Sequence, residues 1–440
     1  MITGHSAPGP EASRAGLRFV PVKTRASTFA VLAVAAGALV LRVVLTLVAA
    51  KHISGDSAYF TQQGKLIGHG HWFVDPYLFR ARGVYLQSAA HPPLYSLFFA
   101  GVTRLGLDTD TAFRVAAACL GGVAVAVVGF AARRVAGARA GVIAAVIAAI
   151  YPYLWSTDLL VLSETLVALL AGAVLLAAYR YVEAPSPARA AWMGVIVAAA
   201  ALTRAEAILL LPLLVVPLVL RGSAGRDRMT RLAVATLATA LPLVPWVAYN
   251  MSRFDESAYL STGAGGTFAD SSCDSVFYGP ITGWWDNRCI VEYAGDESVR
   301  DRLLRKHAFE YIGNHQTRLP FVVAVRVGRI WEVYRPVQTA QLDWIEGRGR
   351  TTGKAALVAY LATLAFASAG LMVLRARGRP LLPFVAIFVM VTITAGVFYG
   401  AVRFRVPADV ALIVLAAVAI DAMLTAARTA SMGSAEMRNR

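Results

Sequence analysis

Ten apolar runs, each close to the roughly 20 residues that an α-helix needs to cross a bilayer, dominate this chain. They lie at about 28–50, 111–132, 139–155, 159–180, 189–203, 206–220, 231–250, 353–374, 380–399 and 406–426. Only helices and closed barrels satisfy every backbone N–H and C=O group inside lipid, so runs of this length restrict the fold to a helical bundle. With 58% hydrophobic and 15% charged residues, most of its surface is expected to meet lipid rather than water. The fold class that follows is an all-α polytopic membrane protein.

Charge sets the orientation. Arg14, Arg18, Lys23 and Arg25 precede the first run and place its start in the cytoplasm. Ten crossings return the C-terminus to the same side. The inner loops then hold Arg133, Arg134 and Arg139, next Arg180 and Arg189, next Arg221, Arg226, Arg228 and Arg231, and last Arg375, Arg377 and Arg379. The net charge of +16 is thus a topology signal, and nucleic-acid binding is not expected. The segment from Arg253 to Arg350 carries 12 Lys and Arg against 13 Asp and Glu, as an outer segment should.

The expected organisation is a cytoplasmic tail (1–27), a membrane core (28–250) with a first outer loop (51–110), an extracytoplasmic cap (251–352), C-terminal membrane helices (353–426) and a second tail (427–440). In the first outer loop, Ala58 to Ile67 and Leu94 to Leu105 have helical character but are too short to span, so they are expected to lie along the surface. In the cap, Glu297 to Asn314 shows helical spacing of apolar residues. A second cap helix is expected to start at Pro320 and to end before Pro336. The first apolar run has a basic flank like that of a signal peptide. At about 23 residues, with no small-residue cleavage site after it, it is expected to stay as the first helix.

Cys119 sits in an apolar run and is expected to be buried. Cys273 and Cys289 fall in the outer cap, where they form either one disulfide or two free thiols. The chain has no Walker A loop, no dinucleotide fingerprint and no His/Cys cluster at zinc spacing. It also lacks an inverted repeat of the transporter kind. Predominance of Arg over Lys and abundant Ala suggest a high-GC bacterial genome.

A few polar residues stand out against this background. Asp56 lies just beyond the first span on the outer side, and an acid at the mouth of a helical bundle is a functional-site candidate. Glu164 begins the fourth span and is expected to face the bundle, paired with an arginine or available for chemistry. Thr203-Arg204-Ala205-Glu206 follows a span of about 14 residues, which reaches only about 21 Å of the roughly 30 Å core. That stretch is therefore expected to be recessed, with Arg204 and Glu206 either paired or functional. Arg42 is expected to snorkel to the outer interface. Arg403 and Arg405 break the positive-inside pattern at the outer start of the last span. They suit a phosphate, or pairing with Asp409 or acids of the cap. Tyr278, Trp284 and Trp285 either pack within the cap or stack on sugar rings.

Asp56 and Tyr59, the segment His91-Pro92-Pro93-Leu94-Tyr95, Ser163-Glu164, Leu202-Thr203-Arg204 and the arginine-rich entry to the last span together resemble the GT-C class of integral-membrane glycosyltransferases. The likeness is to the family 39 group in particular, with its protein O-mannosyltransferases and aminoarabinose transferases. It covers roughly residues 28–250 and 353–426, and the stretch from Cys273 to Cys289 looks like that of actinobacterial members. One departure is that many members have adjacent Asp-Glu in the first loop, whereas here Asp56 is followed by Ser57.

The resemblance implies the GT-C fold, and transfer of a hexosyl or pentosyl unit from a polyprenyl-phosphate donor to an envelope acceptor. Transfer would occur at the outer face of a bacterial inner membrane. It implies Asp56 as general base, with inversion at the anomeric carbon, and Asp75 or Glu164 as a second carboxylate. Arg204, Arg403 and Arg405 would hold the donor phosphate, and Tyr59, His91 and Tyr95 are further first-loop candidates. No cofactor and no metal site are expected, and a divalent cation is left open. The rival readings are a secondary transporter or lipid-linked sugar flippase, and a non-catalytic scaffold. Neither the sugar nor the acceptor class is written in the sequence.

Overall fold

Each of the ten apolar runs is helical. The structure is a computed structural model that describes residues 24–48, 53, 55–221 and 225–438. Arg14, Arg18, Lys23 and Lys51 lie outside the described residues. Among the described residues six helices are long and apolar enough to cross a membrane, or seven if a pair bent by 52° counts as one span. Three further expected spans are shorter apolar helical segments, Pro187–Ala201, Ala205–Leu220 and Leu382–Val397. No strand forms among the described residues, and an isolated bridge joins Val74 to Gln87.

The first span is α1 (Thr24–Val48), followed in the outer loop by α2 (Asp56–Gly68), α3 (Pro76–Arg82) and α4 (Leu94–Arg104). The bundle continues with α5 (Asp110–Ala136), α6 (Ala138–Ile150), α7 (Pro152–Leu159), α8 (Glu164–Glu183) and α9 (Pro187–Ala201). A 3₁₀ turn (Ala205–Leu209), a π turn (Leu211–Val215) and α10 (Val216–Leu220) make the sixth segment, and α11 (Arg226–Met251) the seventh. The cap holds α12 (Ala264–Ala269), α13 (Asp274–Phe277), α14 (Glu297–Asn314), α15 (Leu319–Ile330) and α16 (Pro336–Leu342). The chain then re-enters the bundle as α17 (Arg350–Ala376), α18 (Leu382–Val397) and α19 (Val406–Arg438).

α5 packs against α1, α6 and α8, α19 against α17 and α6, and α9 against α11. The inner face of α19, from Val406 to Ala419, is almost entirely buried, so this last helix forms the core of the bundle. In the first long loop α2 and α4 lie against each other, and a Cβ at Gly64 would overlap the Phe99 side chain, so glycine there allows the close approach.

The second cap helix spans Leu319–Ile330 and so ends before Pro336, as expected, and Pro336 opens a separate short helix as its first-turn residue. Two other expectations need correction. Cys119 is exposed on α5 rather than buried. Arg42 does not snorkel: it is 1% exposed, and its Nε donates to Asp158 Oδ2 at 2.6 Å. Pro152 is the reason, because the bend there ends α6 and delivers Asp158 of α7 to the bundle interior. The freed carbonyls of Ala148 and Ala149 accept from the same guanidinium. The helices of the first long loop are short, as expected, and α2 is mostly buried.

Candidate functional site

The N-termini of α2, α8 and α19 and the C-terminal end of α9 converge on one cluster of charges. Asp56 is the first residue of α2. Gly55 precedes it with φ 55° and ψ −142°, a left-side backbone conformation suited to glycine, which turns the chain sharply into the helix. The Gly55 carbonyl accepts from Ala58 N at 2.9 Å and from Tyr77 Oη at 2.8 Å, so α3 braces the same corner. Ser57 Oγ donates to the carbonyl of Leu160, tying α2 to the turn that opens α8. In that turn Val161 has φ 56°, a strained setting for a β-branched residue that the surrounding contacts sustain. Glu164 follows at the start of α8.

Arg403 is the hub. It projects from the 3₁₀ turn Val402–Arg405 that begins the last span, and all three of its guanidinium nitrogens face carboxylates. Nη2 pairs with Asp56 Oδ2, Nε donates to Glu164 Oε1 at 3.0 Å, and Nη1 donates to Glu346 Oε2 at 2.6 Å. Arg204 sits in an extended residue between α9 and the next 3₁₀ turn. It donates from Nη1 to Glu164 Oε1 and from Nε to Glu206 Oε1, both at 2.9 Å. Its guanidinium lies 4.7 Å from the centre of the Phe404 ring. Glu164 therefore joins two arginines through one oxygen. Leu94 N donates to the Leu202 carbonyl at 2.9 Å, which joins the Pro92-Pro93-Leu94-Tyr95 segment to the residues before Arg204.

Asp56 is the accessible member. Its side chain is 29% exposed, against 2% for Glu164 and 7% for Glu346. Burial raises its carboxyl, but Arg403, His91 and Arg204 outweigh that and hold it well below the usual carboxylate range. The helix N-terminus favours the charged form as well. His91 Nε2 lies 3.7 Å from Asp56 Oδ1, and its ring packs 4.8 Å from those of Tyr59 and Phe60. Burial, with Arg204 and Arg403 nearby, lowers the His91 pKa despite the pull of Asp56.

The other expected residues fall in different places. Tyr59 Oη accepts from Gln63 Nε2 at 2.7 Å and meets Ser88 Oγ at 2.7 Å, so it braces the floor beside His91. Tyr95 is buried among Phe60, Phe98 and Phe99. Asp75 caps α3 by accepting from Tyr77 N and Leu78 N. Arg405 is not brought to Asp56. It is fully buried, donating to Asp409 Oδ1 at 2.9 Å, Glu332 Oε2 at 2.7 Å and the Ile330 carbonyl at 2.9 Å, with Tyr360 3.5 Å beneath it. Cys273 and Cys289 are bonded, with Cα atoms 5.8 Å apart. Trp284 is buried, Tyr278 is exposed, and Trp285 Nε1 donates to Glu346 Oε1 at 3.0 Å.

Sequence reasoning missed Glu346 and Asp270. Burial, followed by repulsion from Glu346, holds the Asp270 carboxyl well above its usual range, and its Oδ1 is buried without a partner. The only signal for Glu346 was the arginine on the outer side, which asked for an anion without saying which. Among the described residues no three His, Cys, Asp or Glu side chains are grouped so as to hold a metal ion.

Comparison with known proteins agrees with this picture of the fold. Residues 90–249 match the family model described as dolichyl-phosphate-mannose-protein mannosyltransferase. A search of the curated proteins gave no significant match. Among solved structures, the apo crystal structure of the Archaeoglobus fulgidus oligosaccharyltransferase superposes with a TM-score of 0.55 at 16% identity, over 94% of this chain and 52% of that one. The structure of ArnT from Cupriavidus metallidurans bound to undecaprenyl phosphate gives a TM-score of 0.45 at 19% identity, over 90% and 79%. The chain spans about half the length of the oligosaccharyltransferase that it matches. The GT-C fold expected from the sequence is the fold of this chain.

Proposed function

We propose that this GT-C membrane protein moves a sugar from a polyprenyl-phosphate carrier to an acceptor at the outer face of a bacterial inner membrane, with inversion. Asp56 serves as general base. The observation that carries this reading is the meeting of Asp56 with Arg403 across 347 positions of chain. An accessible carboxylate stands there against a buried guanidinium, with Arg204 joined through Glu164.

In the proposed step an acceptor hydroxyl oxygen attacks the anomeric carbon and its proton passes to Asp56. The bond from that carbon to the phosphate oxygen breaks, and the electron pair leaves with the lipid phosphate. A phosphate departs as an anion without strong acid catalysis, and Arg403 and Arg204 supply the positive charge that stabilises it in a site of low dielectric. A single displacement inverts the anomeric carbon and needs no paired acid. Glu164 has a supporting part, fixing both arginines through one oxygen. Asp75, used as a helix cap, and Arg405, sealed among buried acids, have no part in the step. Once the phosphate shares Arg403, the Asp56 carboxyl rises toward the ordinary range and becomes a better base.

The test supplies radiolabelled polyprenyl-phosphate sugars to membranes containing the wild-type protein or Asp56→Asn. A loss of transfer of about 10²–10⁴-fold is expected. Transfer that never depends on Asp56 would sink the reading. Movement of labelled lipid across liposomes at an unchanged rate in Asp56→Asn would replace it with a flippase.

A further inference from the structure

Each of the three guanidinium nitrogens of Arg403 already faces a carboxylate, so a phosphate must share or displace one of them. Asp56, Glu164 and Glu346 occupy Nη2, Nε and Nη1, and Glu206 shares the neighbouring Arg204. Four carboxylates thus face two guanidiniums, with His91 beside them. A further anion entering this low-dielectric cluster meets a net negative field unless one carboxylate withdraws.

The three ligands of Arg403 differ in their freedom to leave. Glu164 is at the first turn of α8, 2% exposed, and bound to Arg204 as well. Asp56 has a short side chain fixed by the first turn of α2, and the proposed chemistry requires it in place. Glu346 sits in the non-helical stretch between α16 and α17, one residue before Gly347, whose φ is 91°. Both ends of this stretch are fixed by the fully buried Asp343–Arg348 pair, whose Nη1–Oδ1 distance is 2.8 Å. The long Glu346 side chain can therefore swing away while its backbone stays. Trp344 and Ile345 beside it are 54% and 48% exposed, so the way out leads to the protein surface.

Resting on the proposed donor chemistry, we infer that the donor phosphate takes the place of the Glu346 carboxylate on Nη1 of Arg403. Glu346 occupies the phosphate subsite in the unloaded protein, a carboxylate standing where a phosphate oxygen will bind. The exchange keeps the local charge nearly constant, removing one anion as another enters. It also frees the indole N–H of Trp285, which now donates to Glu346 Oε1. Glu346 thereby screens the site against weakly binding anions, because an entering group must outcompete it.

The experiment measures equilibrium binding of undecaprenyl phosphate, without a sugar, to the full-length protein in detergent or nanodiscs. Three forms are compared: wild type, Glu346→Gln and Arg403→Gln. The glutamine keeps an acceptor for Trp285 but carries no charge to hold Arg403. Binding about tenfold tighter in Glu346→Gln, a gain of about 1.4 kcal/mol, is expected, with binding lost in Arg403→Gln. If Arg403→Gln weakens binding but Glu346→Gln binds no tighter, the exchange is wrong and the phosphate site stands. If Arg403→Gln binds as well as wild type, the donor-phosphate reading itself fails. Glu346→Ala serves as a second variant, and the same tightening there excludes an effect peculiar to the amide.

Discussion

Two arginines stand two residues apart on the same 3₁₀ turn and meet opposite fates. Arg403 enters a cluster whose carboxylate Asp56 is 29% exposed, while Arg405 lies in a network where Glu332 and Asp409 are 0% exposed at their side chains. Around Arg405 each acid is held by a tyrosine as well: Tyr153 Oη donates to Glu332 at 3.0 Å and Tyr151 Oη to Asp409 at 3.2 Å. The Arg405 guanidinium lies against the rings of Tyr360 and Tyr153. A second sealed pair, Asp343–Arg348, abuts it, with Arg348 5.6 Å from the Tyr153 ring and its Nε on Ser156 Oγ at 3.0 Å. The difference teaches that residue type does not separate the arginine proposed to bind phosphate from the structural one. Access to solvent does, because only an accessible pair can exchange its partner. The sealed layer fastens the cap and α7 to the start of the last span, and so fixes the turn from which Arg403 projects.

This contrast breaks first on Arg405. Its removal by Arg405→Ala leaves Glu332 and Asp409 buried without a cation, and breaking a buried pair in this way costs about 3–5 kcal/mol. The expected outcome is poor yield, or a large fall in thermal midpoint measured in detergent, whatever the activity of the folded remainder. A midpoint close to wild type would show that the network is not sealed. Arg403→Gln is expected to do the reverse. Turnover should fall by about 10²–10³-fold, as when one charge-stabilising donor is removed. Its thermal midpoint should fall less than in Arg405→Ala, since water reaches Asp56, Glu164 keeps Arg204 and Glu346 keeps the Trp285 N–H. Equal losses of stability in the two variants would erase the distinction between the two regions.

Much of the fold is legible in the sequence because lipid imposes a single period and a single length. Apolar runs near 20 residues mark the helices. Two features escape that logic. Pro152 bends a span at membrane depth, so Asp158 arrives inside the bundle as a partner for Arg42, although hydropathy gives no hint of which polar residues will meet there. The partners of the site are equally hidden. Asp56, Glu164, Arg204 and Arg403 each stand out as charges in apolar surroundings, whereas Glu346 and Asp270 lie in the near-neutral cap, where acids are ordinary. Arg403 and Arg405 looked alike in sequence because the phase of a 3₁₀ turn, which sends one to Asp56 and the other to Glu332 and Asp409, leaves no mark on composition.

The pH dependence sharpens the comparison further. Burial would raise the Asp56 carboxyl, and the cations, Arg403 foremost, hold it below the usual range. A base acts in its ionised form, so the acid limb of kcat/KM assigned to Asp56 in the wild type lies below about pH 3.9, the ordinary Asp value. The same carboxylate contributes stability that is fully present above its unfolded pKa and lost as pH falls through the folded one. Without Arg403, burial acts unopposed by its largest counterweight, and the residual activity of Arg403→Gln should show its acid limb at higher pH. An unmoved limb would mean that the titrating group is not Asp56. No such shift is expected from changes in the Arg405 network, which has no contact with Asp56.

The smallest expected effect belongs to the support of the accessible cluster. Tyr59 holds its hydroxyl between Gln63 and Ser88, and its ring packs 4.8 Å from His91, which faces Asp56. Tyr59→Phe keeps the ring and removes the hydroxyl, leaving Gln63 Nε2 without this acceptor. The cost is about 1–3 kcal/mol if the amide stays buried and unsatisfied. Because the ring still fixes His91, transfer should fall less than tenfold, with KM for the donor unchanged, while the thermal midpoint drops. A large loss of turnover at an unchanged midpoint would move Tyr59 from the floor of the site into its chemistry. The accessible cluster would then extend from Asp56 past His91 to the Tyr59 hydroxyl.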